Sequence, residues 1–118
     1  MVKFSFPREL RLVTPAQFDN VFKKPAKASS PKLTILARTN DLSHARLGII
    51  ISKKTIKQAV GRNRFKRVIR NFFRINQHTL PAIDLVVLGK GNVASLSNEE
   101  LVSLVEKLCK TVCHRCRK

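Results

Sequence analysis

The chain has 118 residues, with 24 lysine and arginine residues against 7 aspartate and glutamate residues, and its formal net charge is +17. Because 43% of the residues are hydrophobic, the composition excludes a disordered basic tail and favours one folded domain, residues 1–118, that binds a polyanion. No apolar run is long enough to span a membrane, and the N-terminus lacks the apolar core of a signal peptide. We therefore expect a cytoplasmic protein with no membrane partner.

The first third of the chain begins with a basic segment, residues 1–13, followed by a short helix. Thr14 can cap this helix, and Pro15 fits its first position. Apolar side chains then follow at helical spacing: Phe18, Val21 and Phe22. Pro25 and the sequence 29–31 (Ser-Ser-Pro) indicate a loop after the helix.

Two strands are predicted next, over residues 33–38 and 46–52. The connection between them is short, so we expect them to pair antiparallel. A buried strand at 84–88 and a last helix, which starts in a capping box at Ser97, follow later in the chain. Residues 110–118 are expected to form a basic tail. This order predicts an α+β fold, an α-β sandwich in which helices pack on a small sheet.

A strongly basic amphipathic helix is predicted over residues 58–76. At about 100° per residue, one face is apolar. That stripe consists of Phe65, Val68, Ile69, Phe72 and Ile75. The opposite face carries Asn63, Lys66, Arg67, Arg70 and Arg74, with Arg62 and Arg64 on its margins. Like charges four residues apart repel, so a polyanion is expected to cover this face. Since Gly61 is a poor helix former, the helix is expected to begin near Arg62.

The chain shows no catalytic constellation. No carboxylate lies between Asp41 and Asp84, and His44 and His78 are isolated. The pattern therefore does not favour a protein that hydrolyses phosphodiesters by itself.

The C-terminal sequence contains several soft metal ligands within eight positions: Cys109, Cys113, His114 and Cys116. A single Cys-x-x-Cys pair without a second, distant pair is a weak zinc signal. We therefore favour a basic tail over a metal site.

Phe18 and Phe22 permit two interpretations. They can pack in the core, or they can form an aromatic surface on which unstacked bases lie, at roughly 1–3 kcal/mol per base. Polar residues such as Thr34 alternate with apolar ones in the next strand, so one sheet face is expected to stay open beside the first helix.

The sequence of residues 61–70, GRNRFKRVIR, resembles the RNR motif of the protein subunit of bacterial ribonuclease P. Ser52-Lys53-Lys54 resembles the strand end that precedes this motif in the family. Residues 6–25 and 80–108 are similar to the family's first helix and to its last strand and helix, and the similarity is greatest to gammaproteobacterial members.

The resemblance implies a ribonuclease P protein-like fold, with a small, mostly antiparallel sheet flanked by helices and a left-handed β–α–β crossover through the basic helix. It implies a subunit of an endonuclease that removes the 5′ leader from precursor tRNA. The catalytic RNA would perform the hydrolysis with Mg²⁺ that it mainly holds itself, and no obligate protein partner is implied. The RNA-binding residues would be Lys53, Lys54, Arg62, Asn63, Arg64, Lys66, Arg67 and Arg70. The leader cleft would be lined by Phe18, Phe22, Thr34 and Leu36.

A ribosomal or ribosome-associated RNA-binding protein without an enzymatic role is the alternative, because a small basic α/β domain would look the same. The RNA that co-purifies with the protein distinguishes the two. A DNA-binding architectural protein is disfavoured, since no groove-reading motif is visible.

Overall fold

The computed structural model describes residues 11–12, 15–23, 25–40, 44–77 and 79–116, and within them it contains three α-helices and four strands. In chain order these are α1 (Pro15–Lys23), β1 (Ala26–Ser29), β2 (Leu33–Thr39), β3 (Arg46–Ile50), α2 (Ala59–Asn76), β4 (Ile83–Gly89), a 3₁₀ turn (Val93–Ser95) and α3 (Asn98–Cys116). The predicted cap Thr14 and most of the N-terminal segment lie outside the described residues.

The strands form one sheet in the order β1-β2-β4-β3. β1 pairs antiparallel with β2, and β2 pairs antiparallel with β4, whereas β3 is parallel to β4. The predicted α+β fold with a small, mostly antiparallel sheet is therefore confirmed. α2 connects the parallel pair and forms a β–α–β crossover. The left hand that the resemblance implies for this crossover stays a prediction.

Two expectations about the strands are wrong. The strands predicted at 33–38 and 46–52 do not pair, because β4 lies between them. β4 has five consecutive buried residues, and a central position gives such a strand neighbours on both sides. Residues 26–29, interpreted as loop, form the edge strand β1. The predicted turn is real but narrower, since the Ser30 hydroxyl accepts hydrogen bonds from the N–H groups of Lys32 and Leu33.

α2 and α3 cover one face of the sheet and form most of the core with it. Ile35 and Leu85 point to this face and belong to one buried cluster with Phe65 of α2 and Val105 of α3. A smaller cluster on the opposite face consists of Leu12, Val21, Leu36 and Val86. α1 buries only Val21 completely, so it covers part of that second face and leaves the rest open.

α2 begins earlier than predicted, at Ala59, and it includes Gly61. A Cβ at position 61 would lie 2.6 Å from Cγ2 of Ile56, which is buried in the loop before the helix. Glycine costs about 1 kcal/mol in a helix interior. Here the missing side chain leaves the space that Ile56 occupies. The helix therefore does not need to begin after the glycine.

The apolar stripe of α2 ends on a different residue from the one predicted. Phe73 is 1% exposed and belongs to the core, whereas Ile75 is 51% exposed. The other predicted members lie toward the core, with Phe65, Val68 and Ile69 buried and Phe72 partly buried.

The predicted capping box of α3 is confirmed. The Ser97 N–H donates to Oε1 of Glu100 at 2.9 Å, and the Glu100 N–H donates to the Ser97 hydroxyl at 3.1 Å. The expected basic tail is wrong for residues 110–116, which continue α3 to Cys116. The apolar spacing extends through Val112, and burial of this side chain keeps the helix regular.

A buried ion pair joins β3 to β4. Asp84 is 2% exposed, and Arg46 lies opposite it in the parallel register. Arg46 donates from Nε to Oδ1 at 2.8 Å and from Nη2 to Oδ2 at 2.7 Å, and Asn40 Nδ2 donates to Oδ1 at 2.8 Å. The hydrogen bond from Arg46 to Asp84 raises the pKa of the arginine. Bidentate pairing of this kind fixes both side chains.

We predict that Asp84→Ala lowers the free energy of unfolding by about 3 kcal/mol, because it removes the counter-charge of a mostly buried guanidinium. Urea unfolding measures this change. Glu106→Ala is the control, since its partner Lys110 is 3.3 Å away on an exposed surface, and it should change stability by less than about 0.5 kcal/mol. Equal effects of the two substitutions would contradict a stabilising role for the buried pair.

Candidate nucleic-acid interface

The basic face of α2 points away from the core. Arg67 and Arg70 are exposed, and with other side chains they line a surface depression of about 490 Å³. Its lining consists of Arg11, Asn63, Arg67, Arg70, Asn71 and Arg74. α2 contains no acidic residue, so this depression combines guanidinium groups with neutral amides. Such a surface fits phosphate oxygens, which accept hydrogen bonds from both groups.

Two of the predicted RNA-binding arginines lie on the margins of this face and bind the protein itself. Arg62 donates from Nη1 to the carbonyl oxygens of Ile56 and Lys57, both at 2.8 Å. Arg64 donates to Oδ1 of Asn98 at 2.5 Å and to the carbonyl oxygen of Leu96 at 3.0 Å. Arg62 therefore ties α2 to the preceding loop, and Arg64 ties it to the start of α3.

Lys53 and Lys54 are exposed in the turn before α2. The turn is held by Ser52, whose hydroxyl lies 2.9 Å from that of Thr55 and accepts a hydrogen bond from the Thr55 N–H at 3.1 Å. Both ammonium groups thus lie on the solvent side of a structured loop.

The second predicted surface lies on the opposite sheet face, beside α1. Phe18 is partly buried, and a Cβ on Gly48 would lie 2.5 Å from its Cε1 atom, so the ring rests directly on the β3 backbone. Phe22, one turn further, is 42% exposed. The two interpretations of the aromatic pair therefore apply to different rings. Phe18 packs, and Phe22 is available to a ligand.

The two strand residues predicted for the cleft are more buried than expected. Leu36 belongs to the cluster under α1, and Thr34 is 7% exposed. The Thr34 hydroxyl lies 2.9 Å from that of Ser29. Arg38 on the same face donates from Nη1 to the carbonyl oxygen of Asn20 at 2.7 Å and holds α1 against β2. Thr34 and Leu36 therefore form the floor beneath this surface.

Strand register reveals residues of the open face that the sequence did not indicate. The row that contains Thr34 continues through Leu88 to Ile50, which is 36% exposed. Lys90 Nζ donates to the Ser29 hydroxyl at the other end of this row, at 2.8 Å. Side chains alternate between the two sheet faces along each strand. This alternation identifies the residues of the open face only when the order of the strands in the sheet is known.

The two surfaces meet beside Phe18. A depression of about 150 Å³ there is lined by Arg11, Leu12, Phe18, Leu47, Gly48, Ile49, Lys66 and Arg70. Lys66 and Arg70 thus belong both to the basic helix and to the rim of the aromatic surface. A nucleic-acid strand that crosses the sheet would contact the cationic side chains of Lys66 and Arg70 where it reaches α2.

The described residues do not form a metal site. No three histidine, cysteine, aspartate or glutamate side chains among them converge as metal ligands. The oxygens of Asp84 already accept hydrogen bonds from Arg46 and Asn40, so this carboxylate does not fit a Mg²⁺ ligand. In the same part of the chain, no helix is both long and apolar enough to cross a membrane.

Comparison with known proteins gives a consistent result. The family model described as Ribonuclease P matches residues 6–113. The chain is 51% identical over 118 residues to the ribonuclease P protein component of Proteus mirabilis, which covers 100% of this chain and 99% of the relative. It is 56% identical over 108 residues to that of Photobacterium profundum, with 92% of each covered.

Solved structures agree. The Staphylococcus aureus RNase P protein superposes with a TM-score of 0.81 at 27% identity, covering 86% of this chain and 93% of that chain. The Thermotoga maritima RNase P protein, in complex with 1-(4-fluorophenyl)-2-thiourea, gives a TM-score of 0.70 at 27% identity, covering 79% and 92%.

None of these similarities supports a ribosomal protein. The protein component is a subunit of ribonuclease P, a tRNA-processing endoribonuclease whose catalytic centre lies in its RNA. With a match over nearly its full length, the chain belongs to the ribonuclease P protein family.

Proposed function

We propose that this chain binds the catalytic RNA of ribonuclease P through the outer face of α2 and the single-stranded 5′ leader of precursor tRNA on the open sheet face beside α1. The observation that carries the proposal is the meeting of the two surfaces at Phe18, Lys66 and Arg70. One side offers cations without acids, and the other offers an exposed aromatic ring and apolar strand residues. These are the surfaces that a folded RNA and an unstacked strand require.

On the catalytic-RNA side, affinity comes from phosphate neutralisation. Arg67 and Arg70 are exposed and can bind phosphates, with Asn63 between them and the turn that carries Lys53 and Lys54. Each phosphate contact releases counterions, so binding should weaken steeply with salt. Arg62 and Arg64 contribute differently, since they hold the loops that flank this face.

On the leader side, the protein would distinguish precursor tRNA from mature tRNA by the presence of a 5′ leader. Precursor tRNA has a single-stranded 5′ leader whose bases can stack on Phe22 and lie along Ile50, whereas mature tRNA has no 5′ leader. Phe18 supports this surface by packing on Gly48, and Thr34 and Leu36 form its floor.

We also propose that the Mg²⁺ needed for hydrolysis is held mainly by RNA phosphates, because the described side chains do not fit a magnesium site. A cytoplasmic location and the lack of an obligate protein partner stay predictions.

Reconstitution tests the proposed function. Protein mixed with the candidate catalytic RNA at low Mg²⁺ should cleave precursor tRNA at the 5′ end. Nuclease-free protein alone should not, because the described residues of the two proposed surfaces include no nucleophile-activating group. Cleavage by protein alone would contradict the assignment of catalysis to RNA. Co-purification with ribosomal RNA, and no stimulation of the catalytic RNA, would favour the ribosomal alternative.

The basic face gives a second prediction. Arg67→Ala should reduce the log–log salt slope of catalytic-RNA binding by about one unit and leave the melting temperature unchanged, because the side chain is exposed. Arg64→Ala is the matched variant, and it should lower folding stability by roughly 1–2 kcal/mol through its lost hydrogen bonds. Salt titrations and thermal melts measure both. An unchanged slope for Arg67→Ala would mean that this guanidinium contacts no phosphate.

The aromatic pair gives a third prediction. Phe22→Ala should weaken binding of precursor tRNA by roughly 1–3 kcal/mol and leave mature tRNA binding unchanged, because only the leader stacks on this ring. Phe18→Ala should instead lower stability by about 3 kcal/mol, since it empties the space over Gly48. Affinities for the two tRNAs, measured beside thermal melts, separate these effects. If Phe22→Ala weakens both tRNAs equally, the ring does not bind the leader.

A further inference from the structure

The three cysteines of the chain lie on one face of the last two turns of α3. Cys113 follows Cys109 by four residues, and Cys116 follows Cys113 by three, and all three are thiols. Helix geometry places the first pair of Cα atoms about 6 Å apart and the second about 5 Å apart. Both separations lie within the range of about 4.4–6.8 Å that a disulfide tolerates, but the Cβ atoms of a regular helix are about 5–6 Å apart at these spacings, against roughly 3.5–4.5 Å in a disulfide, so the bond requires local unwinding of the helix.

Cys113 and Cys109 both line a pocket open to solvent, and Cys113 is the partly exposed one of the two, since Cys109 is almost fully buried. The pocket measures about 300 Å³ and lies between α3, the last turn of α2 and residues 79–81. Phe72, Leu80 and Pro81 give it an apolar wall, and Lys110 and His114 add basic groups. A volume of this size suits a small ligand. Partial exposure beside basic groups is typical of a reactive cysteine.

The neighbouring thiols favour reaction at Cys113. A hydrogen bond to Cys113, together with burial, raises the pKa of Cys109, and burial with the nearby charge of Cys113 raises the pKa of Cys116. The raised pKa values favour the protonated, less nucleophilic form of both neighbours, and the Cys109 S–H can donate to the Cys113 sulfur. Glu106 faces the same pocket, but Lys110 lies 3.3 Å from it and offsets its charge.

Cys116 is better placed than Cys109 to react second. Cys109 is 4% exposed and belongs to the core, so its sulfur cannot leave its position without opening a cavity. Cys116 is partly buried and lies in the last described turn of α3, and the terminal turn of a helix frays more readily than its interior. A second thiol one turn from a reactive one is the usual arrangement of a redox-responsive pair.

We propose that Cys113 is a thiol-modification site that reacts with a small anionic disulfide, of which glutathione disulfide is the test case, and that Cys116 resolves the adduct. The anionic character follows from the formal net charge of +17 and from the described pocket lining, where the basic residues Lys110 and His114 outnumber the acidic Glu106. This site lies on α3, apart from the residues assigned to the catalytic RNA and to the leader, and it does not rest on the proposed function.

The chemistry is a two-step thiol–disulfide exchange. The Cys113 thiolate attacks one sulfur of glutathione disulfide, so that a mixed disulfide forms, the original S–S bond breaks, and the departing glutathione thiolate takes a proton from water. Cys116 then loses its proton and attacks the Cys113 sulfur, and the second glutathione leaves and is protonated. In total, two cysteine thiols lose two electrons, and one glutathione disulfide becomes two glutathione thiols.

The test is a time course of the full chain with glutathione disulfide at neutral pH, followed by intact mass and peptide mapping. In wild-type protein the first adduct should map to Cys113 and then convert to a Cys113–Cys116 disulfide. Cys113→Ser should slow the first adduct at least tenfold, and Cys116→Ser should leave its rate unchanged and let it accumulate. The same reaction in urea is the control, since unfolding should make the three cysteines react at similar rates.

Each other result would overturn the proposal. If Cys116 or Cys109 of the folded wild-type protein reacts as fast as Cys113, the pocket confers no selectivity. If Cys113 reacts more slowly in the folded protein than in urea, the structure protects this thiol rather than presenting it. Because the mapping uses wild-type protein, the answer does not depend on whether a serine variant folds.

Discussion

The Asp84 carboxylate, bound by Arg46 and Asn40, holds the parallel strand β3 against β4. β4 is the neighbouring strand that pairs with all five residues of β3, and the ion pair fixes the first pair of that register, Arg46 opposite Asp84. The register in turn places Gly48 under the ring of Phe18 and brings Ile50 to the open face. Because α2 starts from the loop after β3, the same contact determines where the basic helix lies beside that face. The proposed RNA interface therefore depends on a buried charge pair that lies outside both of its surfaces.

The basic residues of α2 differ in what they bind, although the sequence shows them as one row of cations. Arg62 donates to two backbone carbonyl oxygens, and Arg74 donates to Oδ1 of Asn71 at 2.6 Å. Carbonyl and amide oxygens carry partial negative charge, so they offset part of the repulsion along the row of cations four residues apart. These acceptors lower the cost of the cations before a polyanion covers the helix, and the exposed Arg67 and Arg70 keep their attraction for phosphate. Specific local acceptors, not added acids, make this density of positive charge tolerable.

Periodicity and capping signals predicted the three helices and three of the four strands, and the motif in α2 predicted the family. The sequence could not show which side chains contact each other in the folded protein. On a helical wheel Phe73 and Ile75 lie about 80° to either side of Phe65, so spacing alone could not decide which one the sheet covers. The sequence shows the helix cost of Gly61 but not its contact with Ile56, whose position depends on how the loop folds. The same holds for the candidate site, since a sequence pattern shows which arginines are present but not which of them find carbonyl acceptors elsewhere in the chain.

The place of β4 in the sheet also governs how the protein is made. β2 and β3 both hydrogen-bond to β4, and β4 is the last strand to leave the ribosome. The hairpin of β1 and β2 is local and can form early, whereas β3 must wait for residues 83–89 before its strand partner β4 exists. During that interval α2 has already been synthesised, but the sheet face that buries Phe65 and Phe73 is incomplete. A nascent chain at this stage presents its arginines and its unburied phenylalanines together, next to ribosomal RNA. Premature capture by nucleic acid is therefore a hazard of co-translational folding that this topology creates.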